Sequence, residues 1–413
     1  MSGPRWTRRE VILGGLAAAA LGADALERNE ISVLDTIVEK GIAEQRFPGA
    51  VLYVGRKGRA LHAKAYGRHT YEPDSPPMRM DTLFDLASCT KVVAGTPAAL
   101  ALVEDGVLAL DAPVARYWPE FALNGKGDVT LRDLLTHVSG LKAYETWSVV
   151  EKKRRSEETH AEALYRHYAG LRLSYRSRTK MVYSCLNLQS AAALIQKVSG
   201  EPLEELLKRR FWQPLGMAAT TYRPRGQRIG RCAPTARGPD GAPVRGKVHD
   251  PLAAYHGSET LCPGNAGLFS TAGDLARYAE MILGDGVRRG RRTLQEDSVR
   301  LMTSVQTPEG VRPLRSIGWA VYQGPPYGRP TTADPARCTI GHTGYTGTWM
   351  WLDPPTGGYI LFLTNRVFPS PATGGQEGKG IDGDRAAIAA VVLDLLDRPA
   401  ARRAASGKRV EPV

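Results

Sequence analysis

The sequence predicts an α+β fold of the α/β-sandwich kind. An antiparallel sheet is flanked by helices and built from both ends of the chain, with a mainly helical region inserted between them. Three observations predict it. A helix-periodic stretch and a β-hairpin come first, a long middle carries helical patterns and loops, and strand-like runs followed by one apolar-striped helix close the chain. The sheet part is expected at about residues 29–87 and 310–397 and the helical part at about 88–309, within one folded unit spanning 26–400 of the 413 residues.

The first 25 residues read as an export leader. Arg5, Arg8 and Arg9 precede a short small-residue apolar run from Gly14 to Gly22, with small residues again at Ala23 and Ala25. The Arg8-Arg9 pair is similar to a twin-arginine signal. An exported, periplasmic or extracellular location follows, with no stable membrane span after processing, because no later apolar run approaches the ~18 residues a span requires.

Ile31, Leu34, Ile37, Val38 and Ile42 fall at helical spacing, and Pro48-Gly49 ends that helix. Two strand-like runs, 50–54 and 60–65, flank a Gly-Arg-Lys-Gly-Arg turn and predict a hairpin. Pro97, inside an apolar run, predicts a kink or boundary. Thr130 with Asp133 three residues on predicts a capped helix start, with Gly140 as its stop. Residues 151–180 read as an exposed charged helix with a loop. Helices are expected at 187–198, stopped by Gly200, and at 201–211 and 270–283. Residues 222–265 are loop-rich. Strands are expected at 318–322, 348–352 and 359–364, and a last helix at 384–396. Residues 401–413 read as a basic disordered tail.

The formal net charge is +13. The excess lies in clusters: residues 152–155, 288–292, and Arg402, Arg403, Lys408 and Arg409 in the tail. No nucleic-acid motif accompanies them and the chain carries an export leader, so they read as solvated surface rather than as a nucleic-acid interface. Five cysteines, an odd number, leave at least one unpaired. Cys262 with Cys338 is one conceivable bridge. No Cys-x-x-Cys pair occurs, so neither a metal nor a redox cofactor is expected.

The chemistry concentrates in three stretches. Ser88-Cys89-Thr90-Lys91 reads as a turn into a helix, with hydroxyl and ammonium three residues apart and on one face. A neighbouring lysine can relieve serine of its proton, which makes a hydroxyl nucleophilic. The almost wholly apolar run after Lys91 predicts that this end is mounted on the core. Tyr183-Ser184-Cys185 sits just before a helix. A free tyrosine, with a pKa of about 10, becomes a base only beside cations. His342-Thr343-Gly344-Tyr345 opens a glycine-rich stretch where backbone can approach a ligand closely. The Tyr345 N–H, with that of Ser88, can form an oxyanion hole.

In this order and at these separations, the three stretches resemble the motifs of the penicillin-recognising serine hydrolases: class C β-lactamases, D-alanyl-D-alanine carboxypeptidases and related esterases. Residues 134–141, 267–271 and 363–366 also resemble family segments, and the likeness spans roughly 30–396. The resemblance implies an acyl-enzyme on Ser88, with Lys91 holding or taking its proton and Tyr183 as partner base. Ser88 and Tyr345 donate the oxyanion N–H groups. His342, Thr343 and Gly344 line the strand side, Cys185 takes the position of a substrate-amide contact, and Asn365 and Arg366 meet a substrate carboxylate. No metal or cofactor is implied.

Two departures stand out. Cys185 occupies a position usually asparagine in the β-lactamases, and sulfur is a weak hydrogen-bond partner. His342 replaces a usual lysine, and an unperturbed histidine is largely neutral at pH 7. Both argue against efficient β-lactam hydrolysis and for an ester, amide or peptidoglycan-like peptide substrate. A class C type β-lactamase is one alternative, and a catalytically weak envelope-binding or acyl-sensing module is another. The physiological substrate and the oligomeric state are not fixed by the sequence.

Overall fold

The structure, a computed structural model, describes residues 28–256, 261–329, 337–369 and 381–397. The leader expected at 1–25 and the tail expected at 401–413 lie outside the described residues.

Helix α1 (Arg28–Ala43) buries Leu34 and Val38 and half-buries Ile31, Ile37 and Ile42. Strands β1 (Gly49–Arg56) and β2 (Arg59–Gly67) follow. Their turn places Lys57 and Gly58 at φ 48° and 77°. Two consecutive positive φ values give the turn twist that suits a tight hairpin. A two-residue strand β3 (Phe84–Asp85) pairs with β4 (Phe269–Ser270). Late in the chain come β5 (Ala320–Val321), β6 (Ile340–Thr343), β7 (Trp349–Asp353) and β8 (Gly358–Thr364), then a last helix, Ile381–Asp397.

The main sheet runs β2-β1-β8-β7-β6-β5 and is antiparallel throughout. Its centre joins the two chain ends, with β1 on β8 from Ala50↔Thr364 to Arg56↔Gly358. Alternation along the strands sends Leu52, Val54, Trp349, Trp351, Ile360 and Phe362 to one face, against α1 and the last helix. Val51, Met350, Leu352, Leu361 and Leu363 go to the other face, against the helical region. Every residue of β7 and β8 is therefore buried. Each large apolar side chain so covered contributes roughly 1.5–3 kcal/mol, which makes this sheet a firm base for the residues at its edge.

The helical region departs from expectation in detail. Ser88 sits within a short 3-10 turn (Ala87–Cys89), which a wide π-type turn (Lys91–Gly95) follows before helix α2 (Thr96–Glu104). Pro97 marks the boundary, in the first turn of α2, where its missing N–H costs nothing. The Thr130–Asp133 capping box forms, but helix α3 (Leu131–Leu135) ends well before Gly140, because His137 takes a left-handed φ of 62°. Residues 151–180 hold parts of two helices, α4 (Trp147–Lys153) and α5 (His160–Gly170). The second is opened by a Thr159–Glu162 capping box. Helix α6 (Cys185–Ser199) ends at Gly200 in the left-handed region (φ 69°). Helix α7 (Ala272–Leu283) is capped by Thr271.

No disulfide links the five cysteines, so the Cys262–Cys338 bridge is absent. In the basic clusters, Arg154 pairs with Glu151 near the surface, whereas Arg288 pairs with Glu280 in a mostly buried position. Among the described residues, no helix is long and apolar enough to cross a membrane.

Candidate active site

Ser88 sits at the junction of the sheet and the helical region. The residue before it, Ala87, adopts φ 44°, a left-handed conformation that costs a non-glycine residue roughly 1–2 kcal/mol. The turn is held on several sides. The Asp85 carboxylate accepts the Ala87 N–H (2.8 Å), and the Thr348 hydroxyl donates to the Leu86 carbonyl (2.9 Å). Gly344 lies so close that a Cβ there would stand 2.4 Å from the Leu86 oxygen. Only glycine lets the His342-Thr343-Gly344 segment press against this turn.

Lys91 is fully buried. Its Nζ donates to Ser88 Oγ (3.0 Å), the Asn265 carbonyl (2.9 Å) and Cys185 Sγ (3.6 Å). Three acceptors match the three N–H bonds of an ammonium. Burial opposes the charge, but Cys185, Tyr183 and Asp250 outweigh it and hold the Lys91 pKa above the usual lysine value. Lys91 thus stands as a cation behind the serine rather than in the cleft.

The Tyr183 ring lies over that cation, its centre 5.0 Å from Nζ. The Arg315 guanidinium is 5.8 Å away, and the His137 and His342 rings are centred at 4.8 and 5.9 Å. His137 Nδ1 faces the Ser184 N–H at 3.2 Å, which places its proton on Nε2 and ties the Tyr183-Ser184 segment to the α3 turn. His342 Nδ1 lies 2.9 Å from the Thr343 carbonyl, so Nδ1 carries the proton and Nε2 is a lone pair. Burial, with Arg315 and Lys91 adding to it, pushes both histidines well below their usual pKa, and both are neutral.

A cleft of about 410 Å³ opens over these groups. Of the residues singled out in the sequence, Ser88, Tyr183, His342, Thr343, Gly344, Tyr345 and Arg366 line it. Arg366 Nε donates to the Tyr345 carbonyl (3.0 Å), which helps set the backbone there. Two expected substrate contacts are corrected. Asn365 is buried, and its Nδ2 donates to the His69 and Pro234 carbonyls (2.8 and 2.9 Å), so it braces the scaffold and does not reach the cleft. Cys185 is not part of the lining either; it lies beside Lys91 as the third acceptor.

Sequence reasoning missed two cations of the lining, Arg315 and Arg385. Both are 5–6% exposed, and in both Nε has no partner. Arg315 Nη2 donates to the Gly318 carbonyl (3.0 Å), and Arg385 Nη2 to the Thr348 carbonyl (3.0 Å). Burial lowers the Arg315 pKa to about 10, which leaves it charged at neutral pH. A positive charge therefore lies in the cleft at Arg315, close enough to act on the neutral His342. No motif or spacing in the sequence pointed to it. Among the described residues no group of His, Cys, Asp and Glu stands in a metal-binding arrangement.

The model of the family described as Beta-lactamase matches residues 34–378. The chain belongs to the beta-lactamase family. It is a serine hydrolase of that family. An "N-acetylmuramyl-L-alanine amidase" of Bacillus subtilis (strain 168) is 29% identical over 379 residues, covering 85% of this chain and 84% of the relative. "Esterase EstB" of Burkholderia gladioli is 30% identical over 391 residues, covering 86% and 95%. The fold is shared with the solved structure of "EstCE1, a hydrolase with promiscuous acyltransferase activity", at a TM-score of 0.68 and 23% identity, covering 88% of this chain and 98% of the other. The family members matched here thus carry names that span amide and ester chemistry on one scaffold.

Proposed function

We propose that the chain forms an acyl-enzyme on Ser88 and acts on esters or on D-amino-acid amides and peptides that carry a carboxylate. The observation that carries this reading is the buried Lys91 ammonium, 3.0 Å from Ser88 Oγ and beneath the Tyr183 ring. Ser88 Oγ attacks the carbonyl carbon while its proton goes to Tyr183, the partner base, with the Lys91 ammonium stabilising the charge, and Tyr183 then gives that proton to the leaving oxygen or nitrogen as that bond breaks. Water then adds to the acyl-enzyme, gives up its proton along the same path, and releases the acid. The Ser88 and Tyr345 N–H groups hold the oxyanion in both steps. Arg315 favours a substrate carboxylate, because a planar guanidinium matches that group, whereas Arg385, also in the lining, is already paired with Asp382 (2.8 Å). The basic, apolar leader supports export to the periplasm or beyond, where peptidoglycan peptides are at hand.

The test is turnover of p-nitrophenyl butyrate, nitrocefin and a D-alanyl-D-alanine peptide, with its terminus free or amidated, by wild type and Ser88→Ala. Ser88-dependent turnover of ester or free-acid peptide, with slow nitrocefin hydrolysis, is expected. Full activity in Ser88→Ala would sink the reading. Fast nitrocefin turnover would instead favour a β-lactamase. Labelling of Ser88 without turnover would favour an acyl-sensing module, for which the neutral His342 speaks.

A further inference from the structure

Asp85 is a buried acid with no part in the chemistry above. It is 2% exposed, and no lysine or arginine pairs with it among the described residues. Its carboxylate is divided between two backbone N–H groups that are far apart in sequence. One oxygen takes the Ala87 N–H at 2.8 Å and the other the His249 N–H at 2.7 Å. Its own carbonyl accepts the Thr346 hydroxyl (2.7 Å). The His249 ring stacks on Tyr345, with centres 5.7 Å apart and planes 23° apart. One residue therefore touches the strained turn before Ser88, the segment that packs on Tyr345, and the loop just after Tyr345.

We infer that Asp85 is a positioning residue that holds the Ser88 turn and the Tyr345 loop in one register, so that their two N–H groups converge on the same oxygen. The inference rests on the proposed acyl-enzyme reading. A carboxylate suits this task because it accepts on both oxygens, whereas an asparagine presents one acceptor and one donor. In Asp85→Asn the donor end of the new amide would meet either the Ala87 or the His249 N–H, and that link would open. Burial raises the Asp85 pKa to about 6, with Asp250 adding to it, so at neutral pH the fold keeps an anion in a place that resists it. A group retained against its own solvation is what a site-shaping role predicts.

Loss of oxyanion donation lowers kcat and kcat/KM together and leaves KM alone. The experiment compares wild type, Asp85→Asn and Asp85→Asn/Ala87→Gly in ester turnover per titrated site, in melting temperature and in the second-order rate of Ser88 phosphonylation by a fluorophosphonate. Glycine takes positive φ freely, so it removes the need to hold Ala87. Asp85→Asn is expected to lose about 10- to 100-fold in kcat and in labelling rate. KM should stay within about 2-fold, the melting temperature should fall only by the few degrees that one opened buried hydrogen bond costs, and Ala87→Gly should recover several-fold of the loss in rate. A labelling rate within about 2-fold of wild type, or a loss accounted for by fewer titratable sites, would overturn the inference while leaving the acyl-enzyme reading intact. No labelling of Ser88 in wild type would overturn both.

Discussion

The two walls of the cleft are built to different rules. On the helical wall the Lys91 ammonium is fully engaged by three acceptors and His137 Nδ1 faces a backbone N–H, although His137 Nε2 has no partner. On the strand wall, three residues that line the cleft each have a buried nitrogen with no partner: His342 Nε2, Arg315 Nε and Arg385 Nε. Buried polar atoms are rarely left so. A saturated ammonium is pre-organised for one reaction, whereas cationic side chains with unpartnered nitrogens along the cleft suit the selection of a substrate. The difference assigns chemistry to the first wall and selection to the second, and each assignment can be broken separately.

The largest expected effect is on the helical wall. Lys91→Met keeps the stem volume and removes the charge, leaving Ser88 Oγ and the Asn265 carbonyl without their donor. A fall in kcat of at least ~10³-fold is expected, on every substrate alike, because the activation of a nucleophile does not depend on what it attacks. Steady-state kinetics on one ester and one peptide decide it. A loss confined to one substrate would place Lys91 in selection instead.

Arg315→Met breaks the other wall. For a carboxylate-bearing peptide, kcat/KM should fall about 10- to 100-fold, the value of a charge-assisted hydrogen bond of roughly 1.5–3 kcal/mol. A neutral ester should change less than about 3-fold. An equal loss on both substrates would mean that Arg315 acts through Tyr183, whose ring is 5.8 Å from its guanidinium, and the division between walls would fail.

Acid should weaken both walls together. His137 and His342 are held neutral with pKa values well below 6.5, chiefly by burial. The unfolded chain takes up protons near pH 6.5 and the folded one does not, so stability present above pH 6.5 is lost as pH falls toward the folded values. Each such histidine contributes up to ~1.4 kcal/mol per pH unit. His62, His69, His167, His249 and His256 are lowered too, mainly by burial, and add to the slope. Asp85 runs the other way: its pKa is raised to about 6, so the cost of its charge is relieved as pH falls from 6 toward 3.8. His249, Asp250 and Cys232 are its titratable neighbours, and Asp250 is the one that adds to the rise, because the Cys232 thiol, raised to about 12, stays neutral. The histidines outnumber Asp85. Melting temperature should drop steadily from about pH 7.5 to 5, and a flat or rising profile would contradict neutral burial of the two wall histidines.

The helical wall was the legible one. Ser88 and Lys91 are three residues apart, and local spacing alone puts them side by side. The two-ended sheet was legible for a similar reason, since apolar alternation at 50–54 and 359–364 is local. The strand wall was read only in part. His342 and Thr343 carry a motif, but Arg315 reaches the cleft through β5 and the turn before it, and Arg385 through the last helix. No sequence period brings 315, 342 and 385 together. Asn365 misled for the converse reason: its neighbours suggested a substrate contact, while its carbonyl partners belong to residues 69 and 234.

Cys185 gives the finest test of the two-wall division, because its place in the sequence and its place in the structure disagree. In the sequence it occupies a substrate-contact position. In the structure its sulfur is the third acceptor of Lys91, at 3.6 Å. Sulfur accepts weakly, and the other two acceptors of the ammonium are oxygens at 3.0 and 2.9 Å. Cys185→Ala should therefore cost kcat only about 2- to 5-fold, the value of a weak hydrogen bond of under about 1 kcal/mol. KM should not move. Cys185→Ser offers oxygen in the same place and should fall by less than Cys185→Ala. If instead Cys185→Ala raised KM for amide substrates and left kcat alone, the cysteine would be a substrate contact after all. The helical wall would then take part in selection.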